Sequence, residues 1–172
     1  MRKIVLTLVV LVILPAAVFA DSPSPISWGI GPAVFYKSPV LIGRPVDTNK
    51  LNVDQLRFGG DLRFKLSLFQ AEALVLYASG NGVTSLNTYL DAGLAVDIAI
   101  VRLDLGVGPS YIYNSGNGSG VQAGFNAKLG ADLLLGPISV GASYIMDLNI
   151  NHGVQSRHRL SGLLGLNVLF WI

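Results

Sequence analysis

Polar and apolar residues alternate without a break from Gln55 to Leu68. Gln55, Arg57, Gly59, Asp61, Arg63, Lys65 and Ser67 fall on one parity, and Leu56, Phe58, Gly60, Leu62, Phe64, Leu66 and Leu68 on the other. Side chains of a strand point alternately to its two faces, so this pattern predicts a strand with one charged and one apolar face. A helix would set Phe58, Leu62 and Leu66 beside Arg57, Asp61 and Lys65 and leave no apolar stripe.

The same period recurs along the chain. Before it, Trp28, Ile30, Val34 and Tyr36 alternate with Ser27, Gly29, Gly31 and Ala33, with Pro32 as an interruption. After it, six further segments follow. Ala71–Ala78 is the third, 85–99 the fourth and 101–113 the fifth, while 121–135 forms the sixth and 138–148 the seventh. The eighth carries Leu160, Leu164, Leu166, Val168, Phe170 and Ile172 on its apolar face. Links after the second, fourth and sixth segments are tight, at Ser67–Gln70, Ala99–Ile100 and Gly136–Pro137. Those after the first, third, fifth and seventh are expected to be longer: Ser38–Val53, Ser79–Gly82, Asn114–Gly120 and Asn149–Arg157, rich in Gly, Asn, Ser or Pro. An up-and-down meander places alternate links at opposite ends, so one rim is short and the other long.

The first twenty residues form a separate unit. Arg2 and Lys3, the apolar run Ile4–Leu14 and Val18-Phe19-Ala20 have the order of a cleavable export signal. Eleven apolar residues ended by Pro15 fall short of the roughly 20 that a spanning helix needs. The expected division is 1–20 signal peptide and 21–172 mature domain. Without Arg2 and Lys3 the twelve Lys and Arg become ten, against ten Asp and Glu, so the mature chain is formally neutral. That removes the case for a basic nucleic-acid surface. There is no cysteine, so no disulfide can support an exported fold.

Only 13% of residues are charged and 51% are hydrophobic, against about 25% charged in ordinary soluble domains. Yet no stretch after residue 20 is a run of 18 apolar residues. High hydropathy dispersed at period two is the signature of strands facing lipid on one side and a polar lumen on the other. A soluble ligand-binding barrel of the lipocalin type has the same alternation with the apolar face inward. Three features favour lipid. Glycines crowd the polar face, where they would make room for long Arg and Lys side chains in a narrow lumen. Tyr36, Tyr77, Tyr111, Tyr113 and Tyr144 share the apolar parity toward the long rim, with Trp28 and Phe170 at the other, as two interfacial aromatic bands would. The helix and disulfides that accompany lipocalins are not apparent.

Taken together, the signal, eight alternating segments, unequal rims and the ending Val168-Leu169-Phe170-Trp171-Ile172 resemble the small eight-stranded outer-membrane β-barrel proteins, the group of the OmpA transmembrane domain, OmpX and OmpW. The resemblance spans the mature chain and implies an all-β, antiparallel, up-and-down transmembrane barrel in the bacterial outer membrane, surrounded by outer-membrane lipid. It also implies handling by periplasmic chaperones and barrel-insertion machinery, with Leu166, Val168, Phe170 and Ile172 as the assembly signal. Such signals usually end on an aromatic residue; here Ile172 is last.

The polar parity carries Arg57, Arg63, Lys65, Arg102, Lys128 and Arg159 against Asp61, Glu72, Asp91, Asp97, Asp104, Asp132 and Asp147. In a lumen just wide enough for side chains, these are expected to form an ion-paired plug, with a gate or narrow channel as the alternative. An OmpW-like resemblance implies transfer of a small hydrophobic molecule, entering near Pro32, Val34 and Pro109. A second reading is an adhesin-like protein that binds an extracellular partner through Ser38–Val53. A third is a lipid-modifying enzyme, for which His152 and His158 flanking Ser156 are the candidate catalytic groups. Neighbouring loop histidines are more often solvated, so no catalytic residue is assigned. No cofactor or metal is expected, since no His, Cys and carboxylate cluster has ligand spacing. Asn117-Gly118-Ser119 matches a glycosylation sequon by chance in a Gly-rich loop. A monomer is expected.

Overall fold

The computed structural model describes residues 25–38, 53–80, 82–116, 120–150 and 159–172, without the side chains of 38, 149–150 and 159–161. The expected signal peptide, most of the Ser38–Val53 loop, the sequon, Ser156 and both histidines lie outside the described residues.

Eight strands close into one barrel: β1 (Ile26–Ser38), β2 (Leu56–Leu66), β3 (Phe69–Gly80), β4 (Val83–Ile98), β5 (Val101–Ser115), β6 (Gly120–Leu135), β7 (Ile138–Ile150) and β8 (Arg159–Trp171). Each pairs antiparallel with its sequence neighbours, and β1 pairs with β8 to complete the ring. The ladder thus has no free edge, which satisfies the backbone donors and acceptors that a single sheet would leave open. At the closing seam Trp28 and Ile172 exchange both backbone hydrogen bonds, at 2.9 and 2.8 Å.

Three two-residue turns, Ser67–Leu68, Ala99–Ile100 and Gly136–Pro137, lie at one end with the start of β1 and the end of β8. The first residue of each has positive φ, 55° at Ser67, 54° at Ala99 and 68° at Gly136. Only the last is the glycine that this left-handed conformation favours. The first turn is two residues shorter than Ser67–Gln70, because Phe69 and Gln70 already pair with Leu66 and Lys65. Gln55 does not start β2 but ends a single 3-10 turn, Val53–Gln55. The other rim is less uniform than its Gly and Asn content suggests. The β3–β4 link is only Asn81–Gly82, since the ladder runs on to Gly80↔Val83; Asn-Gly is itself a tight-hairpin pair.

Two prolines interrupt the ladder. Pro32 leaves Gly31 and itself unpaired with β8, and Pro109 leaves Gly108 and itself unpaired with β4, because proline donates no hydrogen bond. The two interruptions lie on opposite walls, since in a ring of eight the β8–β1 and β4–β5 seams are opposite each other.

The apolar parity faces out. Trp28, Ile30, Phe58, Leu62, Leu66, Leu90, Leu94, Leu103, Leu105, Phe125, Leu129, Val140, Leu164, Leu166 and Phe170 are all exposed on the outer wall, whereas Arg63, Arg102, Lys128 and Asp132 are buried within. A water-soluble protein has the reverse arrangement.

Candidate functional site

The lumen is filled in three levels. At its centre Arg63 on β2, wholly buried, is the hub of an ion-pair belt. Its guanidinium donates to Asp61 at 2.8 and 3.0 Å and to Asp132 across the barrel at 2.7 Å. It also lies 3.1 Å from Glu72 and 3.7 Å from Asp104. Lys128 on β6 binds Glu72 and stands 3.4 Å from Asp104. Asn167 on β8 donates to Asp61 at 2.8 Å. Five strands, β2, β3, β5, β6 and β8, therefore meet in one network. The planar five-donor fork of Arg63 is what allows one cation to serve four carboxylates.

Toward the short turns, Asp97 binds Lys65 and accepts from Arg102 Nε at 2.6 Å. Arg102 stacks 4.1 Å over the Trp171 ring, and the indole N–H donates to Ser139 at 2.9 Å. A Cβ on Gly29 would press on that indole.

Toward the other rim the filling changes. Ala33, Phe35, Leu74, Leu76, Tyr89, Ile145 and Leu163 form a buried apolar cluster inside the lumen. Polar side chains fringe it: Ser110 donates to Asp147 at 2.6 Å, and Asn126 donates to the carbonyls of Gly108 and Pro109 at 3.1 and 3.3 Å. The interior is thus not polar throughout. The sequence misleads here because β3 is apolar on both parities from Ala73 to Ala78, so alternation marks neither face.

The luminal glycines also correct an expectation. A Cβ on Gly130 would collide with the Asp104 carboxylate, one on Gly141 with Asp132 and Asn167, and one on Gly165 with the Phe35 ring. They clear space for carboxylates and rings, not for Arg and Lys stems.

Of the thirteen charged residues singled out from sequence, Asp61, Arg63, Glu72, Lys128, Asp104 and Asp132 come together in the belt, and Lys65, Asp97 and Arg102 in the level beside it. Asp91 faces the belt, but neither of its buried carboxylate oxygens carries a hydrogen bond. Arg57 is half-buried toward the other rim, Asp147 pairs with Ser110, and the Arg159 side chain is outside the description. Among the aromatics, Tyr77, Tyr111 and Tyr113 are exposed outward toward the loop rim, and Trp28 and Phe170 toward the turn rim, while Tyr36 and Tyr144 are half-buried. Trp28 packs on Phe64, centroids 4.5 Å apart. Leu166, Val168, Phe170 and Ile172 lie on the outer wall. Sequence reasoning gave no role to Trp171, Tyr89 or Phe35, which point inward; the strict parity of β8 was the available signal for Trp171.

No protein-family model matches the chain, and no curated protein matches it in sequence. Solved structures do. The N-terminal β-barrel domain of Pseudomonas aeruginosa OprF superposes with a TM-score of 0.58 at 15% identity, covering 85% of this chain and 97% of that one. Neisserial surface protein A (NspA) gives 0.57 at 13%, covering 87% and 99%. Ail, the attachment invasion locus protein of Yersinia pestis, gives 0.52 at 15%, covering 86% and 97%. At such identities the likeness is one of fold, and the fold is that of the small eight-stranded barrels which the sequence resembles.

Proposed function

We propose that the chain is a bacterial outer-membrane barrel that serves as a membrane-embedded scaffold, plugged along its lumen and presenting its loop rim at the cell surface. The observation that carries this reading is the inversion of faces: a predominantly apolar outer wall around a lumen of buried and mostly paired charges. Leaving that wall in water would be costly at roughly 25 cal/mol per Å² of apolar surface; hydrocarbon removes the cost. A filled lumen with an ion-pair belt at one level and an apolar cluster at another favours a plug over an open channel. A general diffusion pore or an OmpW-like transfer route needs continuous free space. The names of NspA, a surface protein, and Ail, an attachment invasion locus protein, fit presentation of loops. An enzyme is disfavoured on the same grounds, since the charged groups of the belt other than Asp91 are held in ion pairs. The outer wall implies lipid as the constant partner, with export through a signal peptide at 1–20.

Two measurements test this. Membrane fractionation should recover the chain with the outer membrane, and unheated samples should migrate differently from boiled ones on gels; a soluble fraction with no mobility shift would overturn the barrel-in-lipid reading. In planar bilayers the wild-type barrel should show no sustained conductance; steady ohmic channels would replace the plug by a pore.

A further inference from the structure

The two rims of the barrel meet their surroundings with unlike chemistry. On the loop rim the outward parity ends in Ser79 on β3, Thr84 on β4 and Ser115 on β5, and the β3–β4 link is Asn81–Gly82. Hairpin tips that stand in water favour such residues. On the turn rim the tips are Ser67–Leu68, Ala99–Ile100 and Gly136–Pro137, with one hydroxyl and no charge among them. Beside them Ile26, Leu66, Phe69, Ile98, Ile138 and Ile172 are all exposed, Phe69 by 66% and Ile172 by 79%. The apolar wall thus runs over the edge onto the end face. The charged side chains at this end point into the lumen and pair with one another. Asp97, the most open of them, commits one oxygen to Lys65 and the other to Arg102.

The backbone of this rim is closed as well. The carbonyl of the second residue of each turn accepts from the next strand around the ring: Leu68 from Ala95 at 2.8 Å, Ile100 from Leu134 at 2.7 Å and Pro137 from Trp171 at 2.7 Å. The Pro25 carbonyl, just before β1, accepts from Ser67 at 2.6 Å in the same fashion. In water such groups could be left to solvent, whereas in lipid each one left open costs several kcal/mol.

The height of the wall agrees. Tyr111 lies ten residues above Val101 on β5, and Tyr36 ten above Ile26 on β1. At about 3.3 Å per residue and a tilt of about 40° that is roughly 25 Å, the height of the apolar band of such barrels. A bilayer whose loop-side interface lies at these tyrosines therefore reaches the turns on its other side. We propose that the turn rim is a lipid-binding face: Leu68, Ile100 and Pro137 are seated in the monolayer on that side and do not stand in the aqueous phase. This rests on the barrel-in-lipid reading and adds where the bilayer ends on the molecule. Lipid is the occupant because the face is continuous with the wall that lipid already covers. A protein partner would be met by a polar rim around its contact, and the described turn residues offer none beyond the Ser67 hydroxyl.

The chain has no cysteine, so a single introduced one reports one place. Leu68→Cys and Ile100→Cys on the turns, Leu129→Cys at mid-wall and Ser115→Cys at the loop rim would each carry an environment-sensitive fluorophore in the barrel folded into phosphatidylcholine vesicles. Iodide on both sides of the membrane and nitroxide-bearing lipid serve as quenchers. Both turn positions should behave like Leu129→Cys, quenched by the lipid nitroxide and several-fold less by iodide than Ser115→Cys. Where either turn variant does not fold, Pro137→Cys carries the same expectation. Iodide quenching at the turns equal to that at Ser115→Cys, with Leu129→Cys still quenched from lipid, would overturn this proposal and leave the barrel in its bilayer. Iodide quenching of Leu129→Cys as well would overturn the barrel-in-lipid reading itself. Protection of the turns from both quenchers would assign the face to contact between copies of the chain and overturn the lipid assignment.

Discussion

Arg63 and Phe35 both point into the same lumen and both are out of contact with solvent, yet they are held there by different physics. Around Arg63 the filling is directional: four carboxylates are placed by the register of β2, β3, β5 and β6 to meet one guanidinium fork. Around Phe35 it is volumetric: Leu74, Leu76, Tyr89, Ile145 and Leu163 fill space, and Gly165 yields the room that the ring occupies. The first kind of filling fails by leaving a charge unpaired, the second by leaving a hole. The barrel thus contains two plugs in series, built on unlike principles.

Arg63→Ala should be the most damaging single change. It strips the cation from Asp61, Glu72, Asp104 and Asp132 at once, at a cost of about 3–5 kcal/mol, read as a fall in the denaturant midpoint of the detergent-folded barrel. Leu76→Ala should cost about 2–4 kcal/mol by leaving a cavity, in the same measurement. Because the two residues share no partner, the double variant should cost the sum to within about 0.5 kcal/mol; strong coupling would mean that the two levels form a single unit. Conductance sharpens the contrast. Neither single variant should pass ions steadily, since the other plug remains, while Arg63→Ala combined with Leu76→Ala should. A current from Arg63→Ala alone would show that the apolar level does not seal. The smallest effect belongs outside both plugs: Ala99→Gly relieves a left-handed alanine at φ 54° and should stabilise by at most about 1 kcal/mol, with no change in conductance.

What was legible in the sequence divides along the same line. Period-two alternation revealed the strands, their faces and the up-and-down order, because a one-residue slip would turn every side chain to the wrong solvent. Turn residues marked the short rim closely, and Gly136-Pro137 marked its turn to the residue. The charged members of the lumen could be named, since each sits on the polar parity. Their partners could not. Arg63 meets Asp132 only because barrel closure brings together positions 69 apart, and alternation carries no information about which strands face each other across a ring. The apolar plug was hidden for another reason: in β3, where Leu74 and Leu76 alternate with Ala73 and Val75, both faces are apolar and parity has no contrast to read. The unpaired Asp91 was also invisible, because on the strand it looks like any other lumen acid.

The seam between β1 and β8 has a consequence for how the molecule comes into being. It joins residues about 130 positions apart, so β2 to β7 are all synthesised before it can form. Until then the sheet has two bare edges, each able to recruit a strand from another copy. Pro32 narrows the risk on one of them by withholding a donor where β8 will later lie. The last strand therefore does more than complete a wall: its arrival removes both sticky edges in a single event, and the hazardous period for this chain ends when Trp28 and Ile172 meet.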